Sequence, residues 1–116
     1  MGVIIVGFVD PEKPVSVENL SWASINDSIW SVFGDIFDEV LIFNNRILSN
    51  VKSEEFIYQE AYSFQMLDRD DFILLVEIMR DYFSKLEGGG GAREIAAEIW
   101  VSDIEPLIVK DFRYME

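Results

Sequence analysis

A chain of 116 residues, half of them hydrophobic and 14% aromatic, has the size and composition of one folded domain, which excludes two independent domains and wholesale disorder. Nine basic against 22 acidic residues leave a net charge of -13, which repels nucleic-acid phosphates and anionic lipid headgroups and argues against direct binding to either. With no Cys and no His there is no disulfide framework, thiolate nucleophile, imidazole ligand or Ser-His-Asp triad; the fold must rest on its hydrophobic core, and no catalytic residue, cofactor or metal site is assigned.

Val3 to Val9 is a short run rich in Val and Ile, bounded by Asp10-Pro11, and predicts a strand buried on both faces at the centre of a sheet. Met1 to Val9 is too short to span a bilayer and lacks a basic leader region, so neither a signal peptide nor a membrane anchor is expected, and a cytoplasmic location is. Trp22, Ile25, Ile29, Trp30, Phe33, Ile36, Phe37, Val40 and Leu41 recur every three or four residues, which predicts a helix from Ser24 to Val40. Ser24 or Asn26 caps it, Asp27 suits its positive pole, and Gly34 weakens its middle slightly.

Asn44-Asn45 is a turn signal between Leu41-Ile42-Phe43 and Ile47-Leu48, read as a short hairpin or a helix exit. From Phe56 to Met66 the aromatic and polar residues alternate, which predicts one long strand. A second helix is expected from Arg69 to Leu86, with Asp68 as its cap, Asp70 and Asp71 in its first turn, and an apolar stripe of Phe72, Leu75, Val76, Met79, Tyr82, Phe83 and Leu86. Gly88 is its predicted C-cap, and Gly88 to Gly91 a flexible loop, although four glycines in a row are also a common linker composition. Ala92 to Trp100 reads as a third helix and Pro106-Leu107-Ile108-Val109 as a final strand. The order β-α-β-β-α-α-β gives an α+β fold, a single domain over 1–116 with two to three helices packed on one face of a small, mostly antiparallel sheet.

The motifs that resemble catalytic or ligand sites are incomplete. The glycine run lacks both the preceding strand and the following Lys-Ser/Thr of a phosphate loop. Asp68-Arg69-Asp70-Asp71 opens like a calcium loop, but Ile73 stands where its glycine belongs and Met79 where its glutamate belongs. Among 22 acids some carboxylate pairs will lie at glycosidase spacing by chance, and Glu60 and Glu77 are the two expected to be partly buried. No nucleophile, base and oxyanion site assemble together, so the chain does not read as an enzyme.

What remains is an excess of acid interleaved with aromatic residues. Aromatic anchors desolvate the centre of an interface, and carboxylates steer and pair with a basic partner. Glu54, Glu55, Asp68, Asp70 and Asp71 form one predicted partner-binding patch, Asp35, Asp38 and Glu39 on the first helix a second, with Tyr58 or Trp22 as anchor. Neither Gly7-Phe8-Val9-Asp10-Pro11 nor Asn19-Leu20-Ser21-Trp22 is a diagnostic motif. In size and charge, however, the whole chain resembles nuclease-binding inhibitors and the bacterial immunity proteins that neutralise toxins in interbacterial competition. That resemblance implies an inert cytoplasmic protein that blocks the groove of a cognate basic toxin, with its acids standing in for phosphates. The alternatives are a nucleic-acid mimic directed at a DNA-binding enzyme, a small ligand-binding domain with the glycine loop as a lid, and a structural subunit. The sequence does not fix the oligomeric state.

Overall fold

The Val- and Ile-rich run forms strand β1 (Gly2–Phe8), with Val3, Ile4, Ile5 and Val6 all buried, as a strand covered on both faces requires. A computed structural model describes residues 2–10, 12–13, 17–52, 55–56, 59–86 and 91–114. After a short 3-10 turn at Val17–Asn19, strand β2 (Leu20–Ile25) runs back antiparallel to β1, placing Trp22 opposite Ile5 and Ser24 opposite Val3. Helix α1 therefore starts later than the spacing predicts, at Asp27–Val40. Asn26 holds an extended backbone and accepts the Ile29 N–H at 3.0 Å, so the cap, and not the apolar spacing that begins at Trp22, sets the boundary.

A turn over 41–43 leads into helix α2 (Asn45–Lys52), so the chain leaves α1 there and Ile47-Leu48 is not a hairpin arm. Ile47 and Val51, one helical turn apart, are the buried residues of this short helix. The alternating segment 56–66 is not one long strand. Glu55–Phe56 forms β3 and Gln59–Ser63 forms β4, and the two pair antiparallel, with Glu55 opposite Glu60 and Phe56 opposite Gln59. Helix α3 (Arg69–Ser84) follows, capped by Asp68 as expected. The predicted C-cap Gly88 lies outside the described residues; the last turn closes instead at Lys85, whose N–H bonds Tyr82 O at 3.2 Å.

Helix α4 (Ala92–Ile99) passes through a π turn at Trp100–Ile104 into helix α5 (Glu105–Ile108). Pro106-Leu107-Ile108-Val109 is thus helical at its start rather than a strand. Proline lacks an N–H and its ring collides with the carbonyl four residues back. The wider π turn, closed by the Glu105 N–H on Trp100 O, accommodates it, and Ile104 and Ile108 are both buried.

The strands lie in the order β2-β1-β4-β3, with β1–β4 parallel and the other two pairings antiparallel. This is an α+β fold with a mixed sheet. The main core joins Ile4, Val6, Tyr62 and Phe64 of the sheet and the residue after β4 to Phe33 and Phe37 of α1, Phe72, Leu75 and Met79 of α3, and Trp100, Ile104 and Ile108. Val3, Ile5, Leu20 and Ala61 form a separate, smaller cluster. Gly34 and Gly7 are there for space. A Cβ on Gly34 would collide with the Tyr62 hydroxyl, whose ring stacks on Trp30 at 4.2 Å, and a Cβ on Gly7 would collide with the buried Asp111 and Arg113 side chains. Gly34 therefore gives up some helix propensity for room at the helix–sheet contact.

Candidate functional site

The end of α1 turns Leu41 into the core and, by the same geometry, turns Ile42 and Phe43 out. Leu41 is fully buried, whereas Ile42 is 59% and Phe43 93% exposed. The turn is held by the Leu41 N–H on Phe37 O (3.0 Å) and the Asn44 N–H on Leu41 O (2.9 Å), and Asn44 O then accepts from Leu48 in the first turn of α2 (3.0 Å). Facing it is the start of α3. Asp68 accepts the Asp71 N–H at 2.8 Å, and Asp71, buried in that first turn, takes the Arg46 guanidinium through Oδ1 at 2.7 Å. This pair ties the beginnings of α2 and α3 together.

Between them lies a recess of about 240 Å³ lined by Phe43, Asn44, Asn45, Arg46, Ile47, Asp71 and Leu74. The hydrogen bond to Asp71, followed by the charges of Asp71 and Asp68, raises the Arg46 pKa above its ordinary value. A large aromatic side chain almost wholly in water beside a hollow lined by a carboxylate is an unusual surface feature, because single exposed apolar residues are common but clustered ones mark contact sites. Ile42, Phe43 and Leu74 are all exposed here.

The predicted partner-binding residues divide between places. Asp68, Asp70 and Asp71 do share the first turn of α3, with Asp68 capping, Asp70 exposed and Asp71 in the recess. Glu54 and Tyr58 lie outside the described residues; Glu55 lies in β3, with its side chain likewise outside. Asp35, Asp38 and Glu39 are exposed on α1, but Asp38 holds Lys52 (2.7 Å) and Glu39 holds Arg93 (2.6 Å). Trp22 sits on β2 and lines neither of the two recesses described here. Glu77 is exposed rather than partly buried, because it faces away from the stripe that packs α3 onto the core. Phe43, Arg46 and Leu74 were not singled out by the sequence. The available signal was the run Leu41-Ile42-Phe43, three apolar residues at a helix end that cannot all face inward.

A second recess, of about 430 Å³, opens between Val32, Asp35, Leu86 and the start of α4 at Gly91, Ala92, Arg93 and Glu94. Gly88, Gly89 and Gly90 lie outside the described residues. Arg93 donates to both Glu39 and the Tyr82 hydroxyl, and these bonds raise its pKa above the ordinary value. The basic side chain of this recess is therefore already committed to protein acceptors.

Between α3 and α5, Glu105 receives the Arg80 Nε–H on Oε2 at 2.9 Å and the Trp100 Nε1–H at 2.6 Å, while Arg80 also reaches the Tyr114 hydroxyl at 3.1 Å. Burial alone raises the Glu105 pKa, but the Arg80 and Trp100 hydrogen bonds outweigh it and leave the carboxyl below its ordinary range. A lowered folded-state pKa gives stability that is present above the unfolded value and lost as pH falls through the folded one. The melting-temperature advantage of the native chain over Glu105→Gln is therefore expected to shrink as the pH falls through and below the ordinary glutamate range. An advantage constant over that range would show that Glu105 is not held as the ion.

Comparison with protein-family models, with curated proteins and with solved structures finds no match. No described helix is long and apolar enough to cross a membrane. Among the described residues no three acidic side chains group as metal ligands do.

Proposed function

We propose that the protein is a stoichiometric inhibitor of the immunity kind, which neutralises a basic cytoplasmic partner, such as a toxin nuclease, by filling its substrate groove without chemistry. The observation that carries this reading is Phe43, 93% exposed and lining a recess together with Leu74 and the nearly buried Asp71. A rigid aromatic anchor beside acid is the arrangement that supplies affinity at an interface centre and steers a cationic partner to it. The net charge of -13 exceeds what solubility of a small domain asks for, roughly 2 to 8 in magnitude. Ion pairs on Asp38, Glu39 and Asp81 interrupt the helix-surface carboxylates, which favours one compact patch over the regular row of a nucleic-acid mimic.

The test is capture from lysate of the encoding organism by the native chain and by Phe43→Ser, at low and moderate salt. A single basic protein held by the native chain, bound at least about tenfold more weakly by Phe43→Ser, and losing its own activity at one-to-one addition is the expected result. Capture of no partner whose activity falls would overturn the reading.

A further inference from the structure

We infer that the recess between the α1–α2 turn and the start of α3 is a receptor for one arginine side chain of the partner, which displaces Arg46 from Asp71 and lays its stem against Phe43. This inference rests on the inhibitor reading for its partner, but its chemistry is local. The two members of the Arg46–Asp71 pair are unequally placed, since the Arg46 side chain is 77% exposed and that of Asp71 is 12% exposed. Only Nη2 of Arg46 reaches the carboxylate, at Oδ1, and among the described residues no donor reaches Oδ2. The fixed, nearly buried partner is the acid, and the exchangeable one is the cation.

The Arg46 end of the pair contributes little, because its guanidinium stands in water and a long side chain must be held still to keep the contact. An incoming guanidinium gains more than Arg46 does. Its planar fork can take both carboxylate oxygens, its face can lie on the Phe43 ring, and its methylenes cover the apolar wall of Phe43, Ile47 and Leu74. An ammonium has neither the fork nor the stacking face, so the recess selects arginine over lysine. A volume of about 240 Å³ suits one side chain and not a folded segment. The net charge of -13 sets a second copy of this chain at a disadvantage as occupant, because two such surfaces repel.

The probe is a blocked five-residue peptide with one central arginine among glycine and serine, titrated into the isotope-labelled protein while backbone amide shifts are recorded. Saturable shifts are expected at Asn44, Asn45 and Leu74. The lysine and citrulline versions are expected to bind more weakly. Asp71→Asn and Phe43→Ser are each expected to weaken the arginine peptide about tenfold, as loss of a charge-assisted acceptor or an aromatic wall does. Arg46→Gln removes the competitor and is expected to tighten binding about twofold to threefold, whereas Lys85→Gln, which alters net charge equally but frees a carboxylate elsewhere on α3, is expected to leave it unchanged. Shifts scattered over the α1 acids, equal binding by Asp71→Asn, or weaker binding by Arg46→Gln would each overturn the inference. The amide spectrum of each variant shows directly that it is folded. A partner captured by the native chain with the same affinity for Asp71→Asn would refute the arginine receptor and leave the inhibitor reading standing; peptide binding at the recess with no capturable partner would do the reverse.

Discussion

Arg113→Met is expected to lower the unfolding free energy by about 3–5 kcal/mol, the usual cost of breaking a buried ion pair from one side. Arg113 and Asp111 are 4% and 3% exposed. Every guanidinium N–H has an acceptor. Nε and Nη2 take Asp111 Oδ1 and Oδ2, both at 2.9 Å, Nη2 also takes Val6 O at 2.8 Å, and Nη1 takes Phe64 O at 2.7 Å and Leu67 O at 2.8 Å. The guanidinium carbon stands 3.9 Å from the centre of the Phe72 ring. One side chain near the end of the chain thus closes β1, the segment after β4 and the start of α3 into one body. Methionine fills much of the volume but leaves the buried Asp111 carboxylate with only the backbone N–H of residue 113, on Oδ1 at 2.9 Å, and strips three carbonyls of their guanidinium donors. Pairing it with Asp111→Leu removes the orphaned charge and is expected to recover part of the loss. Urea unfolding followed by circular dichroism reads both variants. A loss below about 1 kcal/mol for Arg113→Met, the range of exposed pairs, would mean that the C-terminal lock does not form.

Such a lock is invisible to a reading based on periodicity, because Arg113 and Val6 are 107 positions apart and neither belongs to a recognisable pattern. Local signals fared better. Asp68 with Asp70, Asp71 and the stripe from Phe72 to Met79 specified α3, since cap, dipole and amphipathic face agree. The dense Val and Ile of β1 likewise placed it at the centre of the sheet. The failures lie where one signal is shared by two structures. Trp22 and Ile25 fall three apart as in a helix, yet they belong to an edge strand fixed by its pairing to β1. Pro106-Leu107-Ile108-Val109 reads as a strand, yet Pro106 lies in a helix, because the π turn before it absorbs the hydrogen bond that proline lacks. Helix α2 offers only Ile47 and Val51 as a buried face, too little for a periodic signal.

The candidate site was half legible for the same reason. Asp68, Asp70 and Asp71 were selected as a charged cluster, and they do stand together, but what distinguishes Asp71 from its neighbours is its contact with Arg46, 25 residues earlier. Exposure of Phe43 depends on the turn angle after α1, which follows from Leu41 being drawn into the core. Neither relation is encoded in residue spacing. Both are consequences of where α2 packs.

Phe37→Ala is the second large expected effect, at about 3–5 kcal/mol, and its meaning lies in the comparison with Phe43 six residues further on. Phe37 has no exposed surface. Its ring meets Tyr62 edge-on at 5.2 Å and Phe64 edge-on at 6.0 Å, and lies 6.3 Å from Phe33, so truncation removes the joint between α1 and the sheet. Gly34 and the stacked Trp30–Tyr62 pair hold the walls of that joint in place, so they cannot collapse into the space and a cavity remains. Edge-to-face contacts worth about 0.5–1.5 kcal/mol each go with it. Phe43→Ser, by contrast, removes a ring that already faces water and is expected to change stability by less than about 0.5 kcal/mol. The same two variants should reverse in a binding assay, because Phe43 is what the partner would touch. Urea midpoints measured side by side decide it: a Phe43→Ser loss as large as that of Phe37→Ala would make Phe43 part of the core and leave the recess without its anchor.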